Sequence, residues 1–92
     1  MRITYDPAKR EATLAARGLD FEHAARVFAG RYFSVEDTRQ AYGERRYVTI
    51  GEFDGRMVVL VWTPRGRARH MISMRKANDR ERKRYQEQLD RS

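Results

Sequence analysis

Cations recur at Arg65, Arg67, Arg69, Arg75 and Lys76. A guanidinium keeps its charge across the physiological pH range and can hold two oxygens of one phosphate, so this residue type at this density points to phosphate handling. Proton transfer needs a second kind of group, and the sequence offers His23, His70, Glu52 and Lys9. His23 stands among apolar neighbours in a helical stretch, the setting of a partly buried structural histidine, and His70 is expected on the core face of a strand. Glu52 falls near a hairpin tip, where it can reach solvent. Trp62 and Tyr47 are either a platform for an unpaired base or a cross-strand core pair, and the second is the ordinary role of such a pair. Tyr85, on the last helix, either packs on the sheet or presents its hydroxyl to a site.

The whole chain adds to the cationic field. Twenty Lys and Arg against 13 Asp and Glu give a net charge of +7 over 92 residues, a balance that attracts polyanions and says nothing about fold. One domain, residues 1–92, is expected at this length, with a core too modest for a deep substrate cavity. The absence of cysteine excludes a disulfide framework, a thiolate zinc site and a Cys nucleophile, and no metal or cofactor is expected. The first residues, MRITYDPAKREATLAARG, carry charges throughout and contain no apolar h-region, and the longest apolar run, MVVLVWT, is too short to cross a bilayer. A soluble, cytoplasmic protein is expected.

The elements that must position these groups are readable from caps and periods. A short strand, RITY, precedes Asp6-Pro7, an N-cap followed by proline at the first helical position, and PAKREATLAAR then runs to Gly18. A second helix, FEHAARVFA, has Asp20 as cap and Gly30 as terminator, which makes an αα-hairpin. Residues 31–44 contain a possible strand, YFSVE, and a polar loop. RRYVTIGEF, Asp54-Gly55 and RMVVLVWT form a hairpin with a primed turn, whose register sets Tyr47 opposite Trp62, Val48 opposite Val61, Ile50 opposite Val59 and Phe53 opposite Arg56. Both of its faces are apolar, so it should lie centrally and be covered on at least one side. PRGRA turns the chain into a third strand, RHMISMR. Strict alternation there places Arg69, Met71, Ser73 and Arg75 on one face and His70, Ile72 and Met74 on the other. Asn78 and Glu81 form a capping box for a last helix that offers Tyr85 and Leu89 to the core, while Arg80, Arg82, Lys83 and Arg84 solvate its surface. The fold class is α+β: a short first strand and an αα-hairpin, then a three- or four-stranded antiparallel meander and a C-terminal helix.

YDPAK (Tyr5 to Lys9), LDFEHAARVF (Leu19 to Phe28), ERRYVTIGEFDGRMVVLVWT (Glu44 to Thr63) and MISMRKANDRERKRY (Met71 to Tyr85) together resemble the BrnT-type toxins, a RelE-like group of toxin-antitoxin ribonucleases. The resemblance implies a RelE-like fold, metal-independent endoribonuclease activity that inhibits growth, and neutralisation by a BrnA-like antitoxin. It also implies a heterotetramer of two toxins and two antitoxins bound to operator DNA through the antitoxin. The sequence departs from the family pattern at Thr13, Ala16 and Arg17, where the family has Asn-Leu and then Lys-His-Gly and this chain has Thr13-Leu14 and Ala16-Arg17-Gly18.

Metal-free cleavage of RNA uses the 2′-hydroxyl as nucleophile on its own phosphate, so the protein supplies a base, cations for the crowded phosphorane and an acid for the leaving oxygen. On this reading Arg65, Arg75, Lys76 and Lys9 are the catalytic candidates, Lys9 through its place in the DPAK motif, and Arg67, Arg69, Trp62 and Tyr85 contact RNA. Arg69 and Arg75, about 20 Å apart along one strand face, reach different phosphates, or Arg75 joins Lys76 and Arg65 at a neighbouring strand end. A non-enzymatic basic module that binds nucleic acid or an acidic partner is the competing reading. A DNA regulator acting alone lacks a helix-turn-helix.

Overall fold

The computed structural model describes residues 2–92. β1 (Arg2–Tyr5) leads into α1 (Pro7–Arg17), followed by a single 3₁₀ turn (Phe21–His23), α2 (Ala24–Ala29), β2 (Tyr32–Glu36), β3 (Tyr47–Phe53), β4 (Arg56–Arg65), β5 (Ala68–Lys76) and α3 (Asp79–Asp90). The strands form one five-stranded sheet in the order β1-β5-β4-β3-β2. β2 to β5 are the expected antiparallel meander in its four-stranded form, and β1 closes the far edge by pairing parallel to β5. Among the described residues no helix is long and apolar enough to cross a membrane.

Local chemistry explains the boundaries. The Asp6 side chain accepts from the Ala8 amide at 2.9 Å, and the Asp20 side chain does the same for Glu22, so both helical segments start on a carboxylate cap. The second begins as a 3₁₀ turn before it becomes α-helical. Asp20 is also gripped by Arg10 through two bonds of 2.7 and 2.8 Å, which fixes the angle between α1 and the turn. Asp54 and Gly55 both have positive φ, 51° and 74°, the backbone a primed hairpin turn requires. The observed pairs are those expected, Tyr47 with Trp62 through Phe53 with Arg56.

The sheet is covered on both faces. On one, Leu19, Phe21, Ala24 and Val27 from the helical hairpin pack on Val58, Leu60, Trp62, Met71 and Met74; on the other, Leu89 of α3 closes over Ile50, Met57 and Val59, with Tyr85 and Phe33 beside it. At Gly51 α2 packs so close to β3 that a Cβ there would stand 2.5 Å from Cγ1 of Val27.

One feature of β5 overturns a face assignment. Val61 pairs with Ser73, but Trp62 pairs with Met71, so Ile72 has no partner on β4. The extra residue is a β-bulge, and it shifts the alternation by one. Met71 and Met74 therefore enter the same core, although strict alternation separates them. Arg69 and Arg75, expected on one face, lie on opposite faces: Arg69 is opposite Pro64, in step with Trp62, whereas Arg75 is opposite Val59, which packs under α3.

Candidate functional site

The candidate cations divide between the two ends of β5. Arg65 ends β4 opposite Ala68, and Arg75 is opposite Val59, six residues back along β4. At the rise of an antiparallel strand that is about 20 Å. Arg65 and Arg75 cannot grip one phosphate, which corrects the expectation that they could join at a common strand end.

At the junction of β5 with α3, Arg75 donates two bonds to Glu81, at 2.7 and 2.8 Å. The same carboxylate accepts from the Asn78 amide at 3.0 Å while Asn78 Oδ1 accepts from the Glu81 amide at 2.8 Å. The Arg75 guanidinium, with the Asn78 amide, holds Glu81 down to about 2, against the opposing effect of burial, and Glu81 in turn raises Arg75. Arg75, Glu81 and Tyr85 border a groove of about 540 Å³ floored by Val48, Ile50, Val59 and Val61. The Tyr85 ring leans on Phe33, centroids 5.8 Å apart. Lys76, one residue on, belongs to the other face, beside Met74, His23 and Phe53 in a depression of about 420 Å³.

The β4–β5 turn is a different environment. Arg65 is 55% exposed and its single ion pair, to Glu44, is a loose 3.4 Å. Arg67 stands on the turn itself, and neither it nor Lys9 has an ion-pair partner among the described residues. β1 brings Thr4 opposite His70, and Thr4 Oγ1 is 2.9 Å from His70 Nδ1. His70 belongs to neither core cluster, contrary to the expectation of a core-facing histidine. Burial pushes its pKa below the ordinary value, Arg65 and Lys9 push the same way, and Glu44 and Asp6 oppose them. Lys9 also rims a shallow depression of about 380 Å³ between α1 and β5, which runs along Ile72 and Ser73.

A loop that sequence patterns left undefined completes this end. Asp37 is the hub of residues 37–46: it accepts two bonds from Arg39, at 2.8 and 2.9 Å, and one from Tyr42 at 3.1 Å. Arg39 above all holds its carboxyl well below the usual carboxylate range. The Thr63 hydroxyl donates to the Arg45 carbonyl at 2.6 Å, so the loop is tied to β4 and delivers Glu44 to Arg65. An Asp two residues before an Arg is too common a spacing to have identified this hub in the sequence.

The remaining candidates all have partners within the fold. Trp62 is 8% exposed, stacks on Tyr47 at 5.0 Å and donates from Nε1 to Thr49 at 2.8 Å. The Arg69 guanidinium lies 3.9 Å from the Phe28 ring centroid and 5.2 Å from that of Trp62, a cation on an aromatic wall. His23 is exposed rather than partly buried, and stacks on Phe53 at 5.1 Å. Glu52 is paired with Arg31 at 3.0 Å.

Comparison with known proteins gives one family. Residues 5–81 match the model of a family described as the ribonuclease toxin BrnT of a type II toxin-antitoxin system. No curated protein matches the chain.

Proposed function

This chain belongs to the BrnT family of type II toxin-antitoxin ribonuclease toxins, and from that premise we propose that it cleaves RNA at the β4–β5 turn without a metal ion. Arg65 and Lys9 hold the phosphate and stabilise the phosphorane formed when the adjacent 2′-hydroxyl attacks, and Arg67 contacts a flanking phosphate. The observation that carries this reading is the contrast in neutralisation. Arg65 has one loose partner and Arg67 and Lys9 have none among the described residues, so their charge is available to a polyanion, whereas Arg75 is spent on Glu81. On this proposal Arg75 braces the strand-to-helix junction, Lys76 and Tyr85 add to the field and surface beyond the site, and Arg69 with Trp62 forms the wall that keeps the strand end in place.

A toxin of this kind is paired with an antitoxin. We propose that a BrnA-like antitoxin neutralises it in a heterotetramer of two toxins and two antitoxins, that the antitoxin carries the contact with operator DNA, and that the toxin acts in the cytoplasm to arrest growth. The test is expression of the chain with and without the product of the neighbouring reading frame, together with incubation of the purified protein with single-stranded RNA in EDTA. Growth arrest relieved by the partner and fragmentation that persists in EDTA are expected. Strict dependence on added metal overturns the mechanism, and retention of intact RNA with a steep salt dependence overturns the enzymatic reading in favour of a binding module.

A further inference from the structure

The proposed site holds cations for the phosphate but has been given no group to move the proton. Thr4 of β1 lies 2.9 Å from the His70 ring, and Arg65, paired with Glu44, ends β4 two residues beyond Thr63, which is opposite His70. The charges of Lys9 and Asp6, at the start of α1, also act on the ring. Nδ1 is engaged by Thr4. Nε2 makes no hydrogen bond among the described residues and is not among their buried unpartnered atoms, so it keeps some contact with solvent. A histidine kept for packing has its ring in a core; this one is held by one nitrogen and presents the other.

We propose that His70 is the general base of the site, taking the proton of an RNA 2′-hydroxyl on Nε2 while Lys9 and Arg65 hold the phosphate under attack. The inference rests on the ribonuclease reading and adds to it the residue that moves the proton. With the Nδ1 proton donated to Thr4 Oγ1, the lone pair lies on Nε2. The 2′ oxygen forms its bond to phosphorus as its proton passes to Nε2. The bond from phosphorus to the 5′ oxygen breaks, that oxygen takes a proton from solvent, and the products are a 2′,3′-cyclic phosphate and a 5′-hydroxyl. The imidazolium returns its proton to water.

Charge around the ring sets its working range. Burial, Arg65 and Lys9 disfavour the imidazolium, and Glu44 and Asp6 favour it. Glu44 is shared with Arg65 and Asp6 with the first turn of α1, which weakens both as counterions. The ring is therefore neutral near pH 7, the state in which Nε2 can accept a proton.

The experiment is the pH dependence of cleavage of a single-stranded RNA oligonucleotide in EDTA, from about pH 5 to about pH 8, for the wild type, His70→Gln and Lys9→Met. Wild-type kcat/KM is expected to rise along a limb with a midpoint below the ordinary histidine value of 6.5. His70→Gln can still bond Thr4, and it should slow cleavage by about 10²- to 10⁴-fold and abolish the limb. Lys9→Met should move the midpoint upward. A limb that survives in His70→Gln, or a midpoint unmoved by Lys9→Met, overturns the assignment while leaving the ribonuclease reading intact. Wild-type protein that never cuts RNA removes both. If circular dichroism shows His70→Gln to be unfolded, the Lys9→Met midpoint decides alone.

Discussion

The two ends of β5 carry arginines of the same type and opposite circumstance. At the α3 junction, Arg75 is paired through two bonds with a carboxylate that also caps a helix; at the turn, Arg65 shares a loose contact with Glu44 in a region where Lys9 and Arg67 add charge without a partner among the described residues. A cation whose charge is already matched by a fixed anion gains little from a phosphate, because the first partner must be displaced. The difference teaches that cation density along a sequence does not locate a site. What locates it is the charge left over after the fold has made its own pairs.

The largest effect expected from this contrast is on catalysis. Arg65→Ala should lower kcat/KM for RNA cleavage by about 10²- to 10³-fold, the usual cost of removing one preorganised donor from a developing charge. Arg75→Ala should lower it by less than about tenfold. Steady-state kinetics on one oligonucleotide compares the two, and the reverse ranking would move the site to the α3 junction.

The same pair of substitutions should exchange rank when stability is measured. Arg75→Ala leaves the Glu81 carboxylate partly buried with only the Asn78 amide as partner, and urea denaturation should show a loss of about 1 kcal/mol. Asn78→Ala removes the other half of the cap and costs a similar amount. The two losses should fall short of additive, since both act through Glu81. Arg65→Ala, exposed and loosely paired, should change stability by less than about 0.5 kcal/mol.

Much of the fold was legible in the sequence, and the parts that were not share a cause. Asp6-Pro7, Asp54-Gly55 and the Asn78–Glu81 box act locally, and each appears where its residue types require. The bulge at Ile72 is not local. It arises where the β4–β5 ladder must seat both Met71 and Met74 against the helical hairpin, and nothing in RHMISMR marks it, so the period-two reading sent Arg69 and Arg75 to the same face. The parallel pairing of β1 with β5 was equally hidden, and with it went the environment of His70, which only Thr4 across that ladder reveals. Lys9 and Arg65 were legible as cations, but their shared neighbourhood depends on β1, α1 and β4 meeting around His70.

Acid titration separates the ends through His70 alone, because depressed carboxylates lie at both: Glu81 at the α3 junction and Asp37 in the loop at the turn. Asp20 and Glu81 are held down to about 2 from 3.8 and 4.5. Depressed carboxylates stabilise the fold above their unfolded values, and that stability is lost as pH falls from 4.5 toward 2. His70 is depressed from 6.5. The unfolded chain therefore binds its proton first, and stability falls as pH drops below 6.5. Thermal melts should show both windows, the upper one absent in His70→Gln and the lower one shallower in Glu81→Gln. An upper window that persists without His70 would mean that the turn end owes nothing to the imidazole.

The smallest expected effect tests whether the turn is where RNA lies. Arg67 stands on the turn between β4 and β5, exposed and without an ion-pair partner among the described residues, so its role in the proposal is contact with a phosphate outside the bond that is cut. Such a contact releases one condensed counterion, and on a single strand the slope of log K against log salt changes by about 0.7 per phosphate neutralised. Arg67→Ala should therefore flatten that slope by about 0.7, raise Kd and leave the rate of cleavage of bound RNA nearly unchanged. Arg80→Ala, on the solvated face of α3, is the matched control: it removes the same net charge from the molecule and should change the slope by less. Equal slopes for the two would show that RNA feels the protein's summed charge rather than a track through the turn, and would erase the distinction between the ends of β5 at the level of binding.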